Sequence, residues 1–214
     1  MTTILLIRHA VNDWVKTGKL AAWTPGVHLN AEGQAQARAL GERLKDRPLQ
    51  AIYASPLERT LETAEAIAAH HPHLVVQIVE AVGELDCGRW QNAQIADLES
   101  RKMWQLIQHV PSRAQFPGGE TMRRAQARAV DAVEALAEHH PRGLIAVVSH
   151  CDIIRLILAH YLGMHLDMFQ RIVVAPASIS VVQLGFGRPM VAGINDISHV
   201  PPASQPGNDS GQPA

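Results

Sequence analysis

The stretch Thr3-Ile4-Leu5-Leu6-Ile7-Arg8-His9-Ala10 decides the fold. The unbroken apolar run Ile4 to Ile7 reads as a strand buried on both faces, as in the middle of a parallel sheet. The run stops abruptly at Arg8 and His9. A guanidinium and an imidazole at the carboxyl end of such a strand are costly to bury unless something anionic meets them. In open α/β sheets that end of the strands is where ligands bind. Taken alone, the stretch also fits a structural role, with Arg8 paired to a carboxylate and His9 satisfied at a strand end.

Downstream, strand and helix patterns alternate. Val11 to Val27 has no clear period and reads as a loop that folds over something, carrying Trp14, Lys16, Lys19 and Trp23. Asn30 is placed to cap a helix with Ala37, Leu40, Gly41 and Leu44 on its buried face. Leu49 to Ala54 reads as a second strand. Ser55-Pro56-Leu57-Glu58 has the pattern of a capping box, which predicts Ser55 as N-cap and Pro56 as the first helical residue. That helix ends at His70-His71-Pro72, and Leu74 to Val79 reads as a third strand. From Gly83 to Glu120 the pattern is irregular, with short helical pieces near Ala93–Glu99 and Lys102–His109. A long helix follows from about Thr121 to Glu138. The apolar run up to Ser149 is a fourth strand ending in His150, then a helix stops near Gly163. Two short strands fit Ile179–Leu184 and Met190–Ile194. The pattern predicts an α/β fold, a three-layer α/β/α sandwich around a mostly parallel central sheet, with residues 1–200 as one catalytic domain. Residues 201–214, rich in Pro, Gly, Ser and Gln, read as a disordered tail.

Composition bounds the function. The 214 residues are 47% apolar and 18% charged, with 19 basic against 20 acidic side chains and a net charge of −1. No basic field advertises nucleic acid, and no apolar run reaches membrane-spanning length. The N-terminus lacks a secretory pattern, and Cys87 and Cys151 stand far apart without metal spacing, so reduced thiols in the cytoplasm are expected.

Parallel strands would bring three ends to one edge of the sheet, delivering Arg8 and His9, Ser55 and Arg59, and His150. Two arginines and two histidines in one pocket describe a site for a dianionic group, most simply a phosphoryl group. Arg8-His9, Ser55-Pro56-Leu57-Glu58-Arg59-Thr60 with Thr63-Ala64, Glu84 ahead of Asp86-Cys87-Gly88-Arg89-Trp90, and Ser149-His150 together resemble the histidine phosphatase (phosphoglycerate mutase-like) superfamily, in its order, over roughly residues 3 to 197. The resemblance implies a phosphoglycerate mutase-like fold. It makes His9 the nucleophile that becomes phosphohistidine, Arg8, Arg59 and His150 the holders of the phosphoryl oxygens, and Glu84 the proton donor to the leaving oxygen. Asn12 is a candidate for a further amide contact to phosphate. The chain departs from the family pattern at Ala10, Val15, Ala22, Asn92 and Cys151, and several of these positions are commonly glycine.

The function expected is a metal-independent phosphomonoesterase acting on a small phosphorylated metabolite, with no cofactor and no metal. The alternatives are a phosphomutase and a non-catalytic phosphate-binding regulatory module. No nucleic-acid or membrane partner is expected, and a homodimer is the assembly considered. Trp14, Trp23, Trp90 and Phe116 are candidates for apolar walls around the organic part of the substrate. A cysteine phosphatase needs an arginine six positions after its thiolate, where Ala93 and Ile157 stand instead. His70, His71, His73, His139 and His140 sit near prolines at helix ends and read as solvated caps rather than metal ligands.

Overall fold

The computed structural model describes residues 1–201. In chain order the elements are β1 (Thr2–Arg8), α1 (Asp13–Thr17), α2 (Ala31–Leu44), β2 (Ala51–Ala54), α3 (Glu58–Ala68), β3 (Val76–Ile78), α4 (Lys102–His109), α5 (Met122–His139), β4 (Leu144–Ser149), α6 (Cys151–Tyr161), β5 (Ile179–Leu184) and β6 (Met190–Asp196). Among the described residues the strands form one six-stranded sheet in the order β3-β2-β4-β1-β5-β6. The pairs β2–β3, β2–β4 and β1–β4 are parallel, while β1–β5 and β5–β6 are antiparallel. The expected tail lies, but for Pro201, outside the described residues. No helix among the described residues is long and apolar enough to cross a membrane.

Strand alternation divides the core into two layers. Ile4, Leu6, Tyr53, Ile145 and Val147 pack with Ala125, Ala129 and Val133 of α5 and with Ile153 and Ile157 of α6. Leu5, Ile7, Ile52, Ala54, Ala146 and Val148 face the other way, onto Leu40 and Leu44 of α2 and Ala64 and Ile67 of α3. All of β2 and β4 is buried, which explains their unbroken apolar runs. The edge strand β6 alternates between exposed and half-buried residues.

Several helix boundaries follow the expected chemistry. Asn30 accepts from the Gly33 N–H at 2.9 Å and Thr121 from the Arg124 N–H at 3.1 Å, each satisfying an orphan donor of its helix. Ser55 does not cap α3. That helix begins at Glu58 with Leu57 as its N-cap residue and no side-chain cap; the Ser55 hydroxyl meets His150 Nε2 at 2.7 Å and accepts only a long bond, 3.5 Å, from the Leu57 N–H. Within Val11–Val27, read as irregular, the short helix α1 forms because the Asn12 side chain accepts from the Val15 N–H.

The histidines read as solvated caps are not all solvated. His71 is buried, with its Nε2 3.1 Å from the Leu44 carbonyl at the end of α2. His140 is engaged by the Tyr53 hydroxyl at 2.7 Å. Among the described residues no group of three or more His, Cys, Asp or Glu is placed to hold a metal ion.

Candidate active site

Strand register brings the site together. Arg8 of β1 stands opposite Ser149 of β4, and Ala54 of β2 opposite Val148. The residues that follow these strands, His9, His150 and Ser55, therefore leave the sheet at one level on one edge. Both histidines are buried, and their rings meet edge to face with centroids 5.3 Å apart. Helix α3 is tied to the same point. The Thr63 hydroxyl donates to the Arg59 carbonyl at 2.7 Å and accepts from the Ala10 N–H at 3.1 Å, fixing the chain after His9 against the turn that carries Arg59.

The tautomer of His9 follows from its neighbour. Its Nδ1 lies 2.7 Å from the Ala10 carbonyl oxygen. A carbonyl only accepts, so Nδ1 carries the hydrogen and Nε2 keeps its lone pair. Burial, followed by the Arg59 and Arg8 charges, holds the His9 pKa well below the ordinary histidine value, although the Ala10 carbonyl opposes the shift. The imidazole is neutral at physiological pH.

The arginines present unmet donors. Arg59 is almost fully buried; its Nη2 donates to the Ala22 carbonyl at 2.9 Å and faces His150 Nδ1 at 3.4 Å. Its Nε and Nη1 have no hydrogen-bond partner, nor does the buried Nε of Arg8. Arg8 Nη1 donates to the Val174 carbonyl at 2.7 Å. Arg59 pairs with neither Glu62, which binds His28 and the Leu29 N–H, nor Glu84. Buried donors are normally satisfied, so the unmet donors of two arginines that both line one cavity mark a place suited to an anion. Ala22, at a position commonly glycine in the family, holds φ at 42°, and its carbonyl accepts from Arg59. Asn92 likewise sits at φ 71°.

Glu84 and His150 face one another at 3.6 Å, from Oε2 to Nδ1. This is no fixed ion pair. Burial and the Arg59 charge, then the neighbouring His9 ring and the Arg8 and Arg128 charges, hold His150 well below its ordinary pKa. Burial and the nearby Asp152 charge push Glu84 up to about 7, against the opposing pull of Arg59, the Leu85 N–H and Arg8. A carboxyl poised near neutrality can both give and take a proton. His150 Nε2 lies 2.7 Å from the Ser55 hydroxyl, a partner hidden from sequence reading by the apparent capping box.

Arg8, His9, Arg59 and Glu84 line a cavity of about 160 Å³ with Asn12 on its wall, while His150 and Ser55, fully buried, stand behind that lining. The apolar part of the lining includes Trp14, Trp104, Ile107, Phe116, Met122 and Phe169. Two expected wall residues do other work. Trp90 is buried behind the cavity, with ring centroids 6.1 Å from Trp104 and 6.0 Å from Phe116. Trp23 donates from Nε1 to the Glu84 carbonyl at 2.8 Å. Ile107, Met122 and Phe169 were missed because they share the helical spacing of ordinary core residues.

A neutral imidazole with a free nitrogen, unmet guanidinium donors and a carboxyl near neutrality thus share one pocket on a three-layer α/β/α fold. The chain belongs to the histidine phosphatase superfamily (branch 1), whose profile matches residues 4–197. It is 28% identical over 202 residues to phosphoserine phosphatase 1 of Hydrogenobacter thermophilus, covering 94% of this chain and 95% of that one. It is also 28% identical to the metal-independent phosphoserine phosphatase of Arabidopsis thaliana, covering 94% of this chain and 84% of that one. The solved structure of YhfR from Bacillus stearothermophilus superposes with a TM-score of 0.87 at 25% identity, covering 94% of this chain and all of that one. The fold is phosphoglycerate mutase-like, and the chain is an enzyme that hydrolyses phosphomonoesters of small metabolites.

Proposed function

We propose that hydrolysis runs through two in-line displacements at phosphorus with His9 as the nucleophile. The observation that carries this reading is the free Nε2 of a neutral His9 in the cavity where Arg8 Nε and Arg59 Nε and Nη1 lack partners. In the first step the Nε2 lone pair bonds to phosphorus as the ester P–O bond breaks. Protonated Glu84 gives its proton to the departing oxygen. Arg8, Arg59, His150 and the Asn12 amide hold the equatorial oxygens, where negative charge accumulates in the transition state. In the second step Glu84, now a carboxylate, takes a proton from water while the water oxygen attacks phosphorus. The P–N bond breaks, inorganic phosphate leaves, and His9 and Glu84 return to their starting states.

The substrate class follows from the walls. A small organic group would leave past Trp104, Ile107, Phe116, Met122 and Phe169, and phosphoserine, the substrate named for two relatives, is the first compound to test. The proposal includes a cytoplasmic location, where the unpaired Cys87 and Cys151 stay reduced, and a homodimer as the working assembly.

The test is rapid quench during turnover of a labelled phosphomonoester. An acid-labile, base-stable phosphoryl adduct is expected on His9, and His9→Ala should lower turnover by roughly 10⁴-fold or more. A folded His9→Ala protein with near wild-type activity, or repeated failure to trap the adduct, would overturn the reading.

A further inference from the structure

The segment that carries Glu84 belongs to no strand, and its carbonyls need partners from elsewhere. Four successive carbonyls, of Ala81, Val82, Gly83 and Glu84, accept from side chains. One guanidinium supplies three of those bonds. Arg128, on α5, donates from Nη1 to the Ala81 carbonyl at 2.7 Å and the Gly83 carbonyl at 3.0 Å, and from Nη2 to the Glu84 carbonyl at 3.0 Å. Its remaining donors meet Glu120, with Nε 3.0 Å from Oε2 and Nη2 2.7 Å from Oε1. All five N–H groups of the side chain are thereby engaged. Glu120 continues the clasp, since its Oε1 accepts from the Asp86 N–H at 2.9 Å and its backbone N–H donates to the Asp86 carbonyl at 3.0 Å. The turn is gripped on both sides of Glu84.

We infer that Arg128, oriented by Glu120, is the positioning residue that sets where the Glu84 carboxyl stands relative to His150 and the leaving oxygen. Neither side chain of the pair is among those lining the cavity, so the effect passes through the main chain of residues 81–86. Only a planar fork can make this clasp. A lysine at position 128 keeps the charge but has three donors on a single nitrogen, and cannot span Glu120 and three carbonyls at once. The inference rests on the reading of Glu84 as general acid.

The test compares Arg128→Lys and Glu120→Gln with Glu84→Gln on an alkyl phosphate, a poor leaving group, and an activated aryl phosphate. Loss of general-acid help falls mainly on the poor leaving group. Both clasp variants should lose roughly tenfold or more extra activity on the alkyl ester. Their alkaline limb of kcat/KM should also move to lower pH, as a loosened turn lets water reach Glu84. The charges facing that carboxyl, Arg8, Arg59 and Asp152, and neutral His150 are untouched by either change. Thermal melts report folding, and if Arg128→Lys does not fold, Glu120→Gln decides. Folded variants with equal losses on both esters and an unmoved alkaline limb would overturn the clasp while leaving Glu84 as the acid. Equal losses on both esters in Glu84→Gln itself would sink the acid assignment, and the clasp with it.

Discussion

Replacing Glu84 by glutamine should make the protein more stable at alkaline pH. The carboxyl is raised from its ordinary 4.5 to about 7 by burial and by Asp152. A raised carboxyl pKa means the folded protein holds its proton more tightly than the unfolded chain does. Between about pH 4.5 and 7 the folded state therefore binds the extra proton, and stability falls as pH rises through that window. Above it both states are ionised and the full penalty stands. At about 1.4 kcal/mol per pH unit this amounts to about 3 kcal/mol, an upper figure for a side chain that is 20% exposed. Glutamine carries no charge to desolvate and keeps an oxygen to accept the Leu85 N–H, now bound at 2.9 Å. Urea unfolding of both proteins at pH 5, 6.5 and 8.5 checks the argument. The variant should lead by up to about 3 kcal/mol at pH 8.5, less at 6.5, and by only about a quarter of the full lead at pH 5. Parallel pH dependence of the two proteins would refute the raised pKa and, with it, the account of how Glu84 serves as acid and then base.

Arg59→Met should lower kcat/KM on an aryl phosphate by roughly 10²–10³-fold or more, as removal of a transition-state donor does. Its melting temperature should stay at or above that of wild type, because a buried cation with two unmet donors is removed; a large fall in melting temperature would mean the guanidinium is structural. Phosphate or vanadate at a hundred times its Kd should stabilise the protein by about 2.7 kcal/mol, a rise of about 5–11 °C for a chain of this size. Arg59→Met should lose most of that rise, and an equal rise in the variant would place the anion elsewhere.

What the sequence revealed depended on how local the signal was. The strands that position the site are continuous apolar runs, so Ile4–Ile7 and Leu144–Val148 announced both their burial and the polar residues at their ends. Asn30 was legible as a cap because a cap and its donor lie three residues apart, and Thr121, read only as the start of its helix, turns out to cap it. Ser55 carried the same local signal and misled, since its hydroxyl has a stronger partner 95 positions away. Helix α1, at five residues, is too short to show a period. Arg128 left no trace as a functional residue: three of its partners are backbone carbonyls, which any sequence supplies, and Glu120 lies outside the reach of an i,i+4 pair. Ala22 and Asn92, marked in the sequence as positions where the family commonly has glycine, adopt the left-handed backbone that glycine takes without strain.

The cavity draws its parts from two sources. The groups proposed to meet phosphorus, His9, Arg8 and Arg59, hang from the buried sheet and its adjoining helix, whereas Trp104, Ile107, Gln108 and Phe116 come from the excursion between β3 and α5. Mutational drift in that excursion could exchange one metabolite for another while the reaction centre stays untouched. A library randomised at those four positions alone is thus the economical route to redirecting the enzyme, and chimaeras grafting the corresponding excursion from a relative should inherit the donor's preference together with this scaffold's turnover chemistry.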